Sequence, residues 1–401
     1  MSSHADARTL LAWSETISLA NAIQGVTSEE RREGRYKRRK AKREAAKVRR
    51  NEVHTFESAI DFNHLRKSFY RARRGSNWKA SVQSYGRKVL SNSIALHNDL
   101  LKDKDISKGF YEFDIRERGK VRHIMSVHIS ERVVQKSVCD YGIVPVIERS
   151  LIYDNGASQK GKGTEFVARR LKNHLRRWHR LNGHDGYVVL WDGHDFFGSM
   201  RHEVVRENME RWITDGRLID LTMKFIDACP RGLSLGSQVN QINAVAYPDR
   251  IDHYIKDRCG EKFYGRYMDD WYLIVKEKDV AQRYLDDITE RYRTIGIEPN
   301  KKKCQVIKLS RGFRFLQDRF FLTGNGKVIR KPPRENTTRN RRKLKKLAQK
   351  LEDHEISYEE VRAYYGSRNG YYKHKNARMT KRRMDMLFNE LIIKPFKEGR
   401  I

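Results

Sequence analysis

Two adjacent aspartates, Asp269 and Asp270, are the residues of this chain best suited to metal chemistry. They lie between two β-prone runs, 262–267 and 271–275, so the sequence predicts a tight hairpin that carries both carboxylates at its tip. Adjacent negative charges repel each other, and a divalent cation is the usual reason for keeping them together. We therefore expect a pair of Mg²⁺ ions here, with Mn²⁺ as a substitute.

A third carboxylate, Asp192, follows the apolar run Tyr187–Trp191, which is typical of a strand buried on both faces. Because strand ends converge in a central sheet, we expect Asp192 to meet Asp269. Three carboxylates in one place suit two metal ions about 3.5–4 Å apart, the arrangement of in-line phosphoryl transfer. Each aspartate alone is more often a turn residue or a helix cap, so the combination carries the prediction.

The charge balance indicates a polyanionic partner. The 401 residues include 84 Lys and Arg against 51 Asp and Glu, a formal net charge of +33. A charge that large repels itself unless it is neutralised, so nucleic acid is the expected partner. A non-catalytic RNA-binding protein would show the same balance, so charge alone does not establish an activity.

Cysteine usage and hydropathy exclude several classes of protein. The four cysteines are widely spaced without a CxxC pair, which argues against structural zinc and a disulfide framework. No apolar run approaches the roughly 20 residues of a membrane span, and the N-terminus lacks the order of a signal peptide. We expect a soluble, cytoplasmic protein without membrane contact.

Two basic regions are candidate nucleic-acid contacts. Residues 31–50 contain 12 Lys and Arg with two Glu, and predict a basic helix or an arm that orders on a polyanion. Beyond a boundary at 331–333, cations interleave with tyrosines that could stack on unpaired bases. A solvated helix face is the simpler alternative for residues 31–50. The candidate contacts are Arg38, Arg39, Lys40, Arg43, Arg341, Arg342, Lys345 and Lys346.

Hydrophobic periodicity predicts a mixed helix and strand chain. Trp78, Tyr85 and Leu90 are expected in the core of a helical region. The predicted helical regions are 8–25, 31–50, 55–102, 131–150, 164–182, 201–227, 239–254, 278–295, 336–352 and 357–397. The predicted strands are 111–115, 121–125, 187–191, the two arms of the 262–275 hairpin, and a hairpin-like segment at 311–330.

The stretches Asp192–Phe197 and Tyr267–Asp270 resemble the first and third palm motifs of bacterial reverse transcriptases, the group that includes retron, group II intron and diversity-generating enzymes. The resemblance runs from about residue 110 to 330, with a weaker likeness to the C-terminus. It implies an α+β right hand with fingers, an antiparallel-sheet palm and a helical thumb. The implied divisions are a basic N-terminal helical extension at 1–54, fingers with part of the palm at 55–185, palm at 186–330 and thumb at 331–401.

The resemblance also implies roles for residues of these two motifs. Asp192 and Asp269 would be metal ligands with the backbone of Gly193, and Asp270 the third carboxylate. Phe197 would be the steric gate that excludes a ribose 2′-OH, beside Asp195 as a further nucleotide contact. A core phenylalanine is the alternative for Phe197.

Three further segments resemble motifs of the family. Gly119–Arg122 resembles the fingers hairpin, in which Lys120 and Arg122 would hold the triphosphate; a charged edge that blocks strand addition is the alternative. Asn300–Lys303 would place Lys303 near the pyrophosphate, as a proton donor, unless it is a solvated lysine run. Gly312–Leu316 resembles the primer grip, although its aromatics could be ordinary core.

One loop departs from the pattern of most relatives, which read Pro-Gln-Gly and end in Ser-Pro. Here Leu235 occupies the position of the glutamine, and Asn240-Gln241 replaces Ser-Pro. A similar change occurs in diversity-generating and several defence-associated enzymes, and it puts fidelity or substrate geometry in question. Gly236 and Gln238 remain candidate nucleotide contacts, with the glycines expected to let a base or sugar approach the backbone.

The implied activity is synthesis of DNA from dNTPs on an RNA template. We expect a dedicated, noncoding RNA and a role in defence against phage, with DNA as the product. Three alternatives stay open: a diversity-generating reverse transcriptase, a template-independent or protein-primed DNA polymerase, and a non-catalytic RNA-binding scaffold. Homo-oligomerisation is also left open.

Overall fold

The computed structural model describes residues 28–117 and 119–399, and in this part of the chain helices surround three antiparallel sheets. The helices before the central sheet are α1 (Ser28–Val53), α2 (Phe56–Ile60), α3 (Phe62–Ala72), α4 (Ala80–Arg87), α5 (Val89–Leu101), α6 (Ile129–Ser137), α7 (Val144–Ile147) and α8 (Thr164–Asn182). Those that follow its first strand are α9 (His202–Trp212), α10 (Gly216–Asp227), α11 (Gln238–Ala246), α12 (Asp249–His253), α13 (Lys278–Thr294), α14 (Arg334–Glu352), α15 (Tyr358–Lys373), α16 (Arg378–Phe388) and α17 (Lys394–Lys397). Short π-helical segments occupy Val138–Ile143, Tyr254–Arg258 and Asn389–Ile393, and a 3₁₀ turn occupies Leu309–Arg311.

The strands form a hairpin, a central sheet and a small sheet. Their bounds are β1 (Phe110–Glu117), β2 (Lys120–Val127), β3 (Tyr187–Trp191), β4 (Tyr264–Tyr267), β5 (Asp270–Val275), β6 (Gln305–Lys308), β7 (Phe313–Phe315), β8 (Asp318–Leu322) and β9 (Val328–Lys331). β1 pairs with β2, the central sheet has the order β4-β5-β3-β6, and the small sheet has the order β7-β8-β9.

The central sheet is covered on both faces, which explains why β3 is apolar throughout. Leu190 lies opposite Tyr272 on β5, and both pack against α8. Trp191 lies opposite Trp271, and both face α13 and the larger core. Trp191 stacks on Tyr292 of α13 with ring centroids 4.0 Å apart, and its indole Nε1 donates to Thr289 Oγ1 at 3.1 Å. These contacts fix the end of β3, where Asp192 follows.

The C-terminal helices form a separate cluster. Leu344, Val361, Met384 and Phe388 are buried against one another, while the opposite sides of α14–α16 carry exposed cations. The cluster is joined to the small sheet by the Asn376 backbone N–H, which donates to the Arg330 carbonyl at 2.7 Å. Side chains reinforce the junction, because Lys375 and Arg330 both bind the buried Asp318.

Several predicted elements are confirmed and others need correction. The helix at 164–182 and the strand at 187–191 have the predicted bounds. Trp78 and Leu90 are 76% and 55% exposed, so their assignment to the core was wrong, whereas Tyr85 is buried. The predicted helix at 201–227 is two helices, the segment at 311–330 is three strands, and β6 was not predicted. The predicted helix at 8–25 lies outside the described residues. Within the residues described, no helix has both the length and the apolarity needed to cross a membrane.

Candidate active site

Three carboxylates converge at one end of the central sheet. Asp192 follows β3 directly, Asp269 lies in the β4–β5 turn, and Asp270 begins β5. The pairing of Trp191 with Trp271 brings the two strand ends side by side, so one oxygen from each carboxylate lies within 4.8 Å of the others. Asp192 is buried and the other two are half-buried.

The electrostatics of the triad favour a bound cation. Burial, and then the negative charge of Asp192, raise the pKa of Asp269 above its ordinary value. Burial and the charge of Asp269 raise the pKa of Asp270 still further. The carboxylates therefore lack enough positive charge to balance them, and an all-oxygen donor set is the one that Mg²⁺ and Mn²⁺ prefer. The residues present fit a divalent metal ion.

Asp192 is held by the segment that precedes β6. The Asn300 amide donates to Oδ1 at 3.1 Å, and the Asn300 backbone N–H donates to the Asp192 carbonyl at 2.8 Å. Lys303 Nζ lies 2.5 Å from Oδ2. Partial burial opposes the charge on Lys303, but the hydrogen bond to Asp192 and the three carboxylate charges raise its pKa overall. Lys303 thus lies at the triad, as a counter-charge to Asp192.

A buried arginine that the sequence did not reveal holds the turn between β4 and β5. Arg266 is fully buried, and its guanidinium donates to the Met268 carbonyl at 2.9 Å and the Val245 carbonyl at 2.7 Å. It also forms an ion pair with the buried Asp252, with Nη2 2.6 Å from Oδ2. Met268 has a φ of +55°, in the left-handed region that is unfavourable for a residue with a side chain. Contacts with the surrounding structure are needed to stabilise this conformation. Arg266 supplies such a contact next to Asp269.

The loop after β3 packs backbone to backbone against the loop before α11. The Leu233 N–H donates to the Phe197 carbonyl at 2.8 Å. A Cβ at Gly232, where φ is +63°, would lie 2.5 Å from that carbonyl, so only glycine fits. Phe197 is half-buried beside Phe196, whereas Asp195 is exposed. Gly193 forms an isolated bridge with Pro299 on the far side of the same loop.

The second part of this loop contacts the β1–β2 hairpin. The Met125 N–H donates to the Leu235 carbonyl at 3.2 Å, and a Cβ at Gly236 would lie 3.0 Å from the Met125 carbonyl. The close approaches of Gly232 and Gly236 are therefore to the chain's own backbone, where the sequence suggested a base or sugar. Gln238 lines a different cavity from the triad, next to Lys136 and Arg71.

The hairpin itself brings a cation toward the triad. Arg122 lies opposite Ile115 on β2, and its positive charge acts to lower the pKa of Asp269. Lys120 begins β2 opposite Glu117, but its side chain lies outside the described residues. The fold therefore places Arg122 close enough to Asp269 for the two charges to interact.

A cavity of about 710 Å³ leads away from the triad. It runs from Asp192 and Asp270 past Lys303 to the segment Gly312–Gln317 and the start of α14. Phe313 and Phe315 are buried, so the aromatics of this segment are core residues, and the exposed Arg314 pairs with Glu335. The cavity thus connects two of the three carboxylates with the start of α14.

The family model described as reverse transcriptase (RNA-dependent DNA polymerase) matches residues 102–317, which contain the triad, the hairpin and both loops. The chain belongs to the reverse transcriptase family. No curated protein matches it.

Solved structures similar to this reverse transcriptase chain include telomerases from two Candida species. Apo telomerase from Candida tropicalis, truncated from its C-terminal domain, is 13% identical with a TM-score of 0.44, over 55% of this chain and 54% of that one. Telomerase from Candida albicans, in complex with a fragment of telomeric RNA, is 10% identical with a TM-score of 0.45, over 71% and 56%. The chain spans about half the length of these structures.

The predicted nucleic-acid contacts of this reverse transcriptase family member do not line the triad cavity. Arg38, Arg39, Lys40 and Arg43 are exposed on α1, and Arg341, Arg342, Lys345 and Lys346 are exposed on α14. Arg341 also lines a cavity of about 930 Å³ together with Arg334, which borders the triad cavity as well. The two cavities therefore meet at the start of α14.

Proposed function

We propose that this chain is an RNA-directed DNA polymerase that extends a primer with dNTPs at Asp192, Asp269 and Asp270. The observation that carries the proposal is the convergence of these three carboxylates, from distant stretches of sequence, beside a cavity of about 710 Å³. Two Mg²⁺ ions bound by them would activate the primer hydroxyl and stabilise the leaving pyrophosphate. The same chemistry is available with Mn²⁺.

The positions of the surrounding residues support further proposed roles. Asn300 orients Asp192, and Lys303 stands within reach of a polyphosphate, where it can bind the leaving group and donate a proton. Arg122 faces the triad and offers a bidentate phosphate contact, assisted by Lys120 on the same hairpin. Phe197 is the proposed gate against a 2′-OH.

The remaining nucleotide contacts are proposed from the family's pattern. Gly193 would offer its carbonyl to a metal ion, and Asp195 would contact the nucleotide from the same loop. Gly236 would line the site through its contact with β2. Gln238 would act only if the nucleotide extends toward its cavity beside Lys136.

The elements can be assigned to a right hand. We assign residues 1–54 to the basic extension, 55–185 to the fingers with part of the palm, 186–330 to the palm and 331–401 to the thumb. The central sheet with its triad supports the palm assignment, and the separate C-terminal helical cluster supports the thumb assignment. Exposed cations of α1 and α14 would then contact the backbones of template and product.

The RNA is proposed to be a dedicated, noncoding template, copied in the cytoplasm of a bacterium as part of defence against phage. The support is the net charge of +33 and the replacement of the usual glutamine by Leu235.

Replacement of Asp269 by Asn tests the activity. Because the amide is neutral and binds metal poorly, primer extension on an RNA template should fall at least about 10²-fold, while RNA binding stays unchanged. The control is Asp286→Asn, an exposed carboxylate on α13. Unchanged synthesis by Asp269→Asn would refute the site.

Two further reactions separate the alternatives. Equal synthesis by wild type with and without RNA would favour a template-independent or protein-primed enzyme. No synthesis on any template, with RNA retained, would favour a scaffold.

A further inference from the structure

Helices α8 and α13 cover opposite faces of the central sheet, yet their charges differ. α13 has four Lys and Arg (Lys278, Arg283, Arg291 and Arg293) and four acidic residues (Asp279, Asp286, Asp287 and Glu290), so its formal charge is zero. α8 has six Lys and Arg (Arg169, Arg170, Lys172, Arg176, Arg177 and Arg180) and one acidic residue, Glu165, so its formal charge is +5. Both helices bury an apolar face against the sheet, and α13 does so without a net charge, so packing does not require the excess charge on α8.

The excess charge on α8 borders a groove. A cavity of about 640 Å³ lies between the C-terminal half of α8 and the β8–β9 turn, and no acidic residue of the described chain lines it. The turn is fixed to the helix because His179 Nε2 hydrogen-bonds with the Gly324 carbonyl at 2.9 Å. A Cβ at Gly326 would lie 2.7 Å from the His179 ring, so the groove depends on glycine there.

Three cations of this groove lack acidic partners, whereas Arg170, which also lines it, is paired with Asp154. Arg176, Arg177 and Arg180 are exposed, and none has a carboxylate within 4 Å in the described part of the chain. Partial burial, and then the charges of Arg176 and Arg330, lower the pKa of the adjacent Lys172. Like charges therefore crowd each other on this surface, and a bound polyanion would relieve the repulsion.

The groove lies away from the triad. The Trp178 indole donates to the Asp185 carbonyl at 2.8 Å, so this end of α8 lies beside the start of β3. Asp192 follows the other end of β3, about 15 Å further along the strand. None of the residues that line the groove also lines the cavity that leads from the carboxylates.

We propose that the groove formed by α8 and the β8–β9 turn is a second RNA-docking site, which binds the phosphate backbone of a double-helical part of the RNA. Its arginines suit phosphate contacts, and residues three or four apart on a helix face lie about 5–6 Å from each other. Among the described residues, no Phe, Tyr or Trp lines the groove, so it lacks the stacking surface that single strands require. The apolar residues of α8 are buried apart from Leu181, which argues against a membrane surface.

The proposal rests on the proposed function only in taking the bound RNA to be the template. In the proposed arrangement, the groove anchors a folded region of the RNA while the copied strand enters the cavity at the triad. Docking outside the cleft would let the enzyme select a structured RNA without a contact to the copied sequence.

The test compares two triple variants of the full chain. Arg176→Gln/Arg177→Gln/Arg180→Gln removes three cations from the groove, and Lys276→Gln/Lys278→Gln/Arg283→Gln removes three exposed cations on the α13 side of the sheet. The probe is a blunt RNA duplex of about 20 base pairs. The groove variant should bind it about tenfold more weakly, with the slope of log affinity against log salt reduced by about 2 to 3. The control variant should bind like wild type.

A second measurement separates this proposal from the proposed function. Extension of a short poly(rA)–oligo(dT) primer-template should be the same for the groove variant and wild type. Equal loss of duplex binding in both variants, or loss of extension in the groove variant, would overturn the second site. Unchanged RNA binding with loss of an acidic protein in a pull-down would overturn it in favour of a protein partner. If wild type makes no DNA but the groove variant alone loses duplex binding, docking stands and the polymerase proposal fails.

Discussion

The β4–β5 hairpin contains or contacts carboxylates in two environments, the buried Asp252 and the triad at its turn, and their electrostatic balance differs. Asp252 is fully buried and receives hydrogen bonds from Arg266 and from the Tyr264 hydroxyl at 2.6 Å. At the triad, Lys303 and Arg122 act against the three negative charges, yet burial and mutual repulsion still raise the pKa of Asp269 and Asp270. Where a carboxylate has a structural role, the fold supplies its counter-charge. At the triad the fold leaves charge unbalanced, as a site for an external cation requires.

The largest expected effect on stability comes from breaking the buried ion pair between Arg266 and Asp252. Arg266→Met should lower the free energy of unfolding by about 3–5 kcal/mol, because it leaves the buried Asp252 without its partner. Urea unfolding measures the loss. Asp252→Asn/Arg266→Met, which removes both charges, should recover part of the stability, and a double variant no more stable than the single one would contradict the ion-pair interpretation.

A smaller effect is expected at Asp249, one turn before Asp252 on the same helix. Asp249 is 1% exposed, neither carboxylate oxygen has a hydrogen-bond donor in the described chain, and burial raises its pKa to about 6 from 3.8. Its ionisation therefore destabilises the folded state increasingly as pH rises from about 4 to above 6. Asp249→Asn should raise the free energy of unfolding by about 1–3 kcal/mol at pH 8 and leave it nearly unchanged at pH 4.

Denaturant unfolding of wild type and Asp249→Asn at the two pH values checks this prediction. The control is Asp257→Asn, an exposed carboxylate nearby. If Asp249→Asn destabilised the protein at pH 8, the attraction of Asp249 to the nearby Arg211 and His253 would outweigh the cost of its burial.

The smallest expected effect is the stabilisation of the folded state by Mg²⁺ bound at the triad. At a Mg²⁺ concentration ten times the dissociation constant, binding to the folded state should stabilise it by about 1.4 kcal/mol. Thermal unfolding with and without Mg²⁺ measures this gain, which should vanish in Asp192→Asn/Asp269→Asn. A gain of equal size in that variant would place the ion elsewhere.

The sequence predicted the triad because its signals are local. An apolar run ending in aspartate and two apolar runs around an aspartate pair each identify a strand end. The partners of those aspartates were harder to predict. Arg266 follows a glycine in a short strand, and the sequence alone suggests that it faces solvent. In the fold it is completely buried, because β4 lies against α12, where Asp252 binds it. Such a contact depends on tertiary packing that no local pattern records.

Errors in the predicted fold have similar causes. Trp78 and Leu90 are large and apolar, but the pattern does not show which side of a helical region faces the core. β6 has only four residues, with polar ones at both ends, so it lacks the apolar run that identified β3. The loop glycines were expected to let a base or sugar approach the backbone, but the sequence could not show that Phe197 and Met125 are their neighbours in the fold.

The contact between Lys303 and Asp192 makes metal binding at this carboxylate an exchange of cations. A metal ion bound at Oδ2 would take the place of the Lys303 ammonium group. Because this group is on a flexible four-carbon chain, its positive charge would remain in the cleft and could bind an anion there. The two states of the carboxylate would thus differ in the position of one positive charge, which the protein would keep in both.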